Sequence, residues 1–165
     1  MRGFSLIELV IYLGIVAMLT VAISDVFISV SAARGQGQVR SDTSSEIRFA
    51  LESIRRDARS SSAVLLPAGA GATGTVLRLA TSEGTVEYAV TEGIVRRQAG
   101  SLSSEAITSS NVSADGFVVS RIESANQALA ATTTLLRIRL QVTGNRGSVR
   151  HTETAETTIA TFETI

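Results

Sequence analysis

The sequence predicts an α+β protein, a long N-terminal α-helix followed by an antiparallel β-sheet head. Residues 4–33 form one long apolar segment. Residues 38–60 keep apolar side chains at helical spacing while charges occupy the remaining positions. Beyond Pro67 that spacing gives way to short alternating runs separated by glycine-containing turns. Helix first and antiparallel strands afterwards is the order of an α+β fold, with the amphipathic part of the helix laid on the sheet.

A helix over residues 4–33 would be roughly 45 Å long, more than a hydrocarbon core of about 30 Å. Arg34-Gly35-Gln36-Gly37 then offers a weak point or bend, because glycine costs about 1 kcal/mol in a helix interior. In the next helical stretch Ile47, Ala50, Leu51, Ile54 and Ala58 form the apolar stripe, with Phe49 at its edge. Arg48, Glu52, Arg55, Arg56 and Arg59 lie off the stripe as a solvated surface. Ser60-Ser61-Ser62 and Pro67 close the helix.

Ala68 to Gly74 reads as a flexible loop. Val76–Leu79, Thr85–Val90 and Ile94–Arg97 read as a three-stranded meander, turning at Ser82-Glu83-Gly84 and Thr91-Glu92-Gly93. Val86, Tyr88 and Val90 alternate with Glu87, so one face is buried. Residues 99–115 are polar and serine-rich, a long surface loop. Phe117–Ile122 is the next strand and Ser124–Thr133 a loop. In Leu135–Val142, Leu136, Ile138, Leu140 and Val142 share one face while Arg137, Arg139 and Gln141 share the other. Gly144–Gly147 is a turn, and Val149–Phe162 a threonine-rich, edge-like last strand.

The totals narrow the function. The 165 residues suit one domain plus a terminal element. Lys+Arg and Asp+Glu balance at 15 each, with every base an arginine, so no global charge favours nucleic acid. The absence of cysteine excludes disulfides, thiolate metal sites and cysteine nucleophiles. The single histidine, His151, reads as an edge residue, since a catalytic one needs a positioned partner. Aromatics at 4% make a poor stacking surface for nucleic acid. Asp57 and the scattered glutamates show no paired, apolar-buried setting, and the serine-rich stretches are not nucleophile elbows. No enzyme activity, catalytic residue, cofactor or metal ligand is therefore expected.

One acid stands out. Glu8 lies four residues into the apolar run, and from Leu9 to Ser24 only Tyr12 is ionisable. A carboxylate in hydrocarbon costs about 2.5–3.5 kcal/mol on insertion scales and calls for a partner. Only Arg2 is near in sequence. A secretory signal peptide ending at Ser31-Ala32-Ala33 would have an overlong apolar region and gives Glu8 no purpose. A plain transmembrane anchor fits the length but also leaves Glu8 unexplained. Asp25, roughly 30 Å along the helix from Phe4, falls at a membrane–water boundary or at a contact between subunits.

Gly3-Phe4-Ser5-Leu6-Ile7-Glu8 resembles the processing motif of type IV prepilins and type II secretion pseudopilins. The resemblance implies a pilin-like fold and cleavage by a prepilin peptidase between Gly3 and Phe4, with N-methylation of Phe4. It implies that Glu8 pairs with the N-terminal amine of a neighbouring subunit and so sets axial register. Expected partners are the peptidase, the inner membrane and other minor and major pilins or pseudopilins, met through the N-terminal helix with Gly14 and Ala17 among its packing residues. Nucleic acid is not an expected partner. The implied organisation is a leader (1–3), a transmembrane and assembly helix (4–33), an amphipathic helix continuing into the head (34–67) and a β-sheet head (68–165).

Ile54-Arg55-Arg56-Asp57-Ala58-Arg59 resembles I-x-x-D-x-R at a helix end in J-type minor pseudopilins and W-type minor pilins. Val86–Arg96 is similar to their V-x-Y-x-hydrophobic-x-x-G-hydrophobic-x-R hairpin. The chain departs from major pilins in having Asp25 where they carry a kinking proline, and in lacking a C-terminal cysteine pair. The implied function is a minor structural subunit at or near a filament tip, helping to initiate assembly. The alternative is a tip adhesin or DNA-uptake module on the same scaffold, with Arg96, Arg97, Arg137, Arg139, Arg146 and Arg150 as a basic face.

Overall fold

The computed structural model describes residues 5–126, 131–147 and 149–161. One helix, α1 (Leu6–Ser60), precedes nine strands: β1 (Ala63–Leu66), β2 (Thr73–Gly74), β3 (Val76–Thr81), β4 (Gly84–Thr91), β5 (Ile94–Ala99), β6 (Glu105–Ala106), β7 (Val112–Asn126), β8 (Ala131–Arg146) and β9 (Val149–Thr161). The α+β layout is the expected one. The strands form two antiparallel sheets, of order β1-β3-β4-β5-β6 and β2-β7-β8-β9. The described residues fall into two units divided after Gln38.

In the first unit the helix has its apolar side chains exposed. In the second, α1 buries Ile47, Ala50, Leu51, Ile54 and Ala58, the predicted stripe. Phe49 is exposed, as its edge position implies. One apolar cluster joins this stripe to Leu77, Leu79 and Val95 of the five-stranded sheet and to Val119, Leu136 and Ile138 of the other. The helix segment thus fills the core between two sheet surfaces, neither of which could bury its apolar face alone.

Several boundaries differ from expectation. Residues 34–37 are helical, so the glycines do not end α1. A β-carbon at Gly35 or Gly37 would meet nothing within 4 Å, so these glycines serve no close approach. The helix read over 38–60 ends at Ser60 as expected, while Ala63–Leu66 of the 34–67 segment form β1. Ser60 and Ser61 donate their hydroxyls to the carbonyls of Asp57 (3.1 Å) and Ala58 (2.7 Å), satisfying groups at the helix end. The Ser62 amide then bonds the Ala80 carbonyl at 2.8 Å and starts β1.

The meander β3–β4–β5 has the predicted turns, with Gly93 at φ 73° and Glu92 at φ 54°. The expected loop over 99–115 contains β6, buried Ile107 and Thr108, and the start of β7. There the Ile107 amide bonds the Val95 carbonyl at 2.8 Å, drawing an isolated apolar residue into the core. The expected loop over 124–133 is largely taken up by strand. Asn126 pairs with Ala131, and residues 127–130 lie outside the described residues. In the expected turn at 144–147, Gly144–Arg146 still pair with β9, which leaves Gly147 (φ 60°) as the one residue of that turn outside the ladder. Leu136, Ile138, Leu140 and Val142 are fully buried, as their alternation predicts.

At Gly144 the β8 backbone lies close against α1. A β-carbon there would overlap Thr43 Oγ1 and stand 3.2 Å from Val39 Cγ1. Thr43 cannot easily turn away, because its hydroxyl is bonded to the Val39 carbonyl at 2.7 Å. Gly144→Ala is therefore expected to cost about 1–3 kcal/mol through overpacking, read as a lower denaturant midpoint with an unchanged slope.

Candidate functional site

The sequence-predicted site begins at the N-terminus. Gly3 and Phe4 lie outside the described residues. Ser5 stands just before the helix, and its carbonyl accepts from the amides of Glu8 (3.0 Å) and Leu9 (3.2 Å). Glu8 is exposed in the first turn of α1, where the unpaired amides at the helix start favour an anion. Among the described residues it has no ion-pair partner. Tyr12 lies one turn further on, on the same side of the helix.

From Leu6 to Val30 the large apolar side chains are between 40% and 81% exposed. Within α1 lies a segment long and apolar enough to cross a membrane, and none of it is buried. An apolar surface of this extent belongs to an interaction or to hydrocarbon rather than to water. Its polar groups suit that reading. The hydroxyls of Thr20, Ser24 and Ser29 donate to the carbonyls of Val16, Thr20 and Asp25, each at 2.8 Å. Each hydroxyl proton is therefore satisfied within the helix and needs no water. The ionisable residues left on this stretch are Glu8, Tyr12 and Asp25. Asp25 is exposed, about 26 Å along the axis from Glu8. A β-carbon at Gly14 would meet nothing within 4 Å, so that position is open to a neighbouring chain.

The second constellation is one the sequence reading missed. Asp57 is buried, and its Oδ2 accepts from Tyr88 Oη and from Arg97 Nε, both at 2.7 Å. Ser53 Oγ lies 3.3 Å from the same phenol oxygen. The network ties the last turns of α1 to β4 and β5. It corrects the expectation that Asp57 has no paired, buried setting. The two looser motifs, residues 54–59 and 86–96, meet here, but the bonding cation is Arg97, one residue beyond the second motif. The signal was present: Asp57 lies seven residues from Ala50 and three from Ile54, on the buried stripe, and Tyr88 lies on the inward phase of its strand. A buried acid and a buried phenol each demand a partner.

Burial pushes the Tyr88 phenol well above its ordinary pKa, and Asp57 adds to the shift, while Ser53 and Arg97 oppose it. The hydrogen bond to Asp57 raises Arg97 further. Nothing in this arrangement resembles a nucleophile with its base; it is an ion pair with a neutral hydroxyl attached.

The basic face drawn from sequence does not form as one surface. Arg96 and Arg97 lie on β5 in one sheet, and Arg137, Arg139, Arg146 and Arg150 lie on β8 and β9 in the other. Arg97 is held by Asp57, while Arg137 and Arg139 share Glu156 at 3.3 and 3.1 Å. His151 is on β9, with Nε2 3.9 Å from Glu153 Oε2. Among the described residues no group of three or more His, Asp or Glu is placed to hold a metal ion. A cleft beside α1 is lined by Val39, Glu46, Phe49 and Thr108. Two of its polar groups are engaged: Glu46 accepts from the Ser109 amide at 3.1 Å and Thr108 from the Val95 amide at 3.0 Å.

No protein-family model, curated protein or solved structure matches this chain.

Asp57→Ala is expected to destabilise the fold by roughly 3 kcal/mol, since it strands a half-buried arginine. Tyr88→Phe should cost about 1 kcal/mol. The raised phenol pKa also fixes a sign. The native state keeps its proton where the unfolded chain loses it, so this contribution is complete below about pH 10 and falls as pH rises beyond it. Urea midpoints measured across that range should fall in the parent chain and fall less in Tyr88→Phe. An identical alkaline fall in both would remove Tyr88 from the account.

Proposed function

We propose that the chain is a minor pilin-like subunit, a pseudopilin or minor pilin, processed after Gly3 and built into a filament at or near its tip. Its head would lie outside the inner membrane, in the periplasm or beyond, with α1 crossing as a single pass. The observation that carries this reading is the setting of Glu8. It is a carboxylate in the first turn of a bare apolar helix, with no cation bonded to it among the described residues. Removal of residues 1–3 would create an ammonium at Phe4. Packed helices would place that cation and a neighbour's Glu8 in low dielectric, where each is costly alone and strongly attracted to the other. The pair then penalises wrong register as much as it favours the right one. The self-satisfied hydroxyls along the helix support the same reading, because they pass from lipid to a helix bundle without needing water.

Mass spectrometry of the protein from its own membrane should give N-methylated Phe4 as the first residue. A first residue at Arg34 would indicate a signal peptide, and an intact Met1 a plain anchor; either would falsify the processing step. Glu8→Ala should be cleaved and inserted normally, yet recovered in sheared filaments at a fraction of the parent level. Recovery at the parent level would remove the register role.

A further inference from the structure

The two sheets treat their edges unequally. Three edge strands are short: β1 has four residues, and β6 and β2 have two each. Alongside β2, further backbone bonds cover β7, from Gly71 to the Arg121 carbonyl, from Arg121 to the Ala72 carbonyl and from Ala114 to the Gly93 carbonyl. The fourth edge is β9, with thirteen residues. It pairs with β8 without a register shift from Thr161 to Val149. Among the described residues no other strand or loop bonds its outer backbone edge. It contains no proline, and threonine is its commonest residue. Proteins usually shorten, bulge or cover such an edge, since its amides and carbonyls are a template for another strand. Here three edges are shortened and the longest is left straight.

Charge says what would fit it. On one side of β9 lies α1, which reaches the strand through Ser44 to Glu153 (2.5 Å) and Arg55 to Thr157 (2.8 Å). Arg48 is one turn from Ser44 on that same face, exposed and without an ion pair among the described residues. On the outer face Arg150 is likewise exposed and unpaired among the described residues. Beside it Arg137 and Arg139 share the single Glu156. The outer wall of the edge is therefore net basic, whereas on the α1 side Glu52 and Glu153 offset Arg55 and Arg48. A second copy would bring the same basic rim onto itself. Nucleic acid could use the arginines but not the row of backbone amides and carbonyls.

We propose that β9 is a docking edge, which takes up as a fifth strand an extended polypeptide segment carrying acidic side chains at alternate positions. Main-chain bonds supply the attraction, and the outer arginine rim selects a segment whose acids share one face. The proposal does not rest on the filament reading, and neither outcome of the experiments on Phe4 and Glu8 touches it.

The test uses the full chain in non-ionic detergent and a fluorescent nonapeptide of glutamate alternating with threonine and valine. Saturable binding is expected, with slowed amide exchange confined to β8 and β9. Methylating alternate peptide nitrogens, or substituting Arg137→Glu together with Arg150→Glu on the outer face, should weaken it by about tenfold or more. No binding would overturn the proposal, as would equal binding of the methylated peptide or protection away from β9. Displacement by a single-stranded oligonucleotide of equal charge at equal concentration would overturn it in favour of a phosphate-binding surface. Protection of β9 that appears on self-association, without peptide, would assign the edge to a second copy instead.

Discussion

A single carboxylate oxygen, Asp57 Oδ2, takes hydrogen bonds from two strands of the five-stranded sheet while its own backbone belongs to α1. Apolar contacts alone would allow the helix to slide or rotate over those strands, because they are non-directional. The bonds from Tyr88 and Arg97 are directional and sit where water is scarce, so they fix both the rotation of the helix and the point at which it ends. The stripe from Ile47 to Ala58 then has one orientation in which it can fill the core. On the other side, Ser44 and Arg55 reach Glu153 and Thr157 across the four-stranded sheet. Those contacts are more exposed and worth less. The grip is therefore uneven, strong towards β4 and β5 and weaker towards β9.

The same helix changes character along its length. Past Val39 its apolar side chains are covered by the chain's own strands, and before Gln38 they are covered by nothing in the described protein. The second kind of surface is not a failed core. Its hydroxyls are bonded internally, its carboxylate stands at the helix start, and its apolar residues run all round the helix rather than along one stripe. That pattern suits surroundings that are apolar on every side, whether lipid or a bundle of like helices.

Local periodicity carried most of the fold. The buried stripe of α1, the β3–β5 meander and the alternation of Leu136 to Val142 all follow from spacing alone, because in each the core face is set by residues close in sequence. What was hidden depends on partners far away in sequence. The division into two sheets cannot be read from strand spacing, since β2, of only two residues, joins β7 across more than forty intervening positions. Ile107 looked like a lone apolar residue in a polar loop because its partner carbonyl belongs to Val95, on the strand before the turn. Asp57 was legible in principle from its place on the stripe, but the cation that makes burial tolerable is forty residues on. At the N-terminus the situation reverses. The pattern at Gly3, Phe4 and Glu8 is read from sequence, while the folded chain places only Glu8 among its described residues.

The separation between α1 and its last strand has a consequence for synthesis. Ser44 and Glu153 are 109 residues apart, and Arg55 and Thr157 are 102 apart. At about 5–20 residues per second, a ribosome needs several seconds or more to deliver β9 after the helix has emerged. Through that interval the stripe at Ile47, Leu51 and Ile54 is finished but has only part of its cover, and the apolar segment ahead of it has already left the ribosome. Such a nascent chain exposes two sticky surfaces in succession. Delivering the first to a membrane early would leave only the second to be shielded while the sheets are completed.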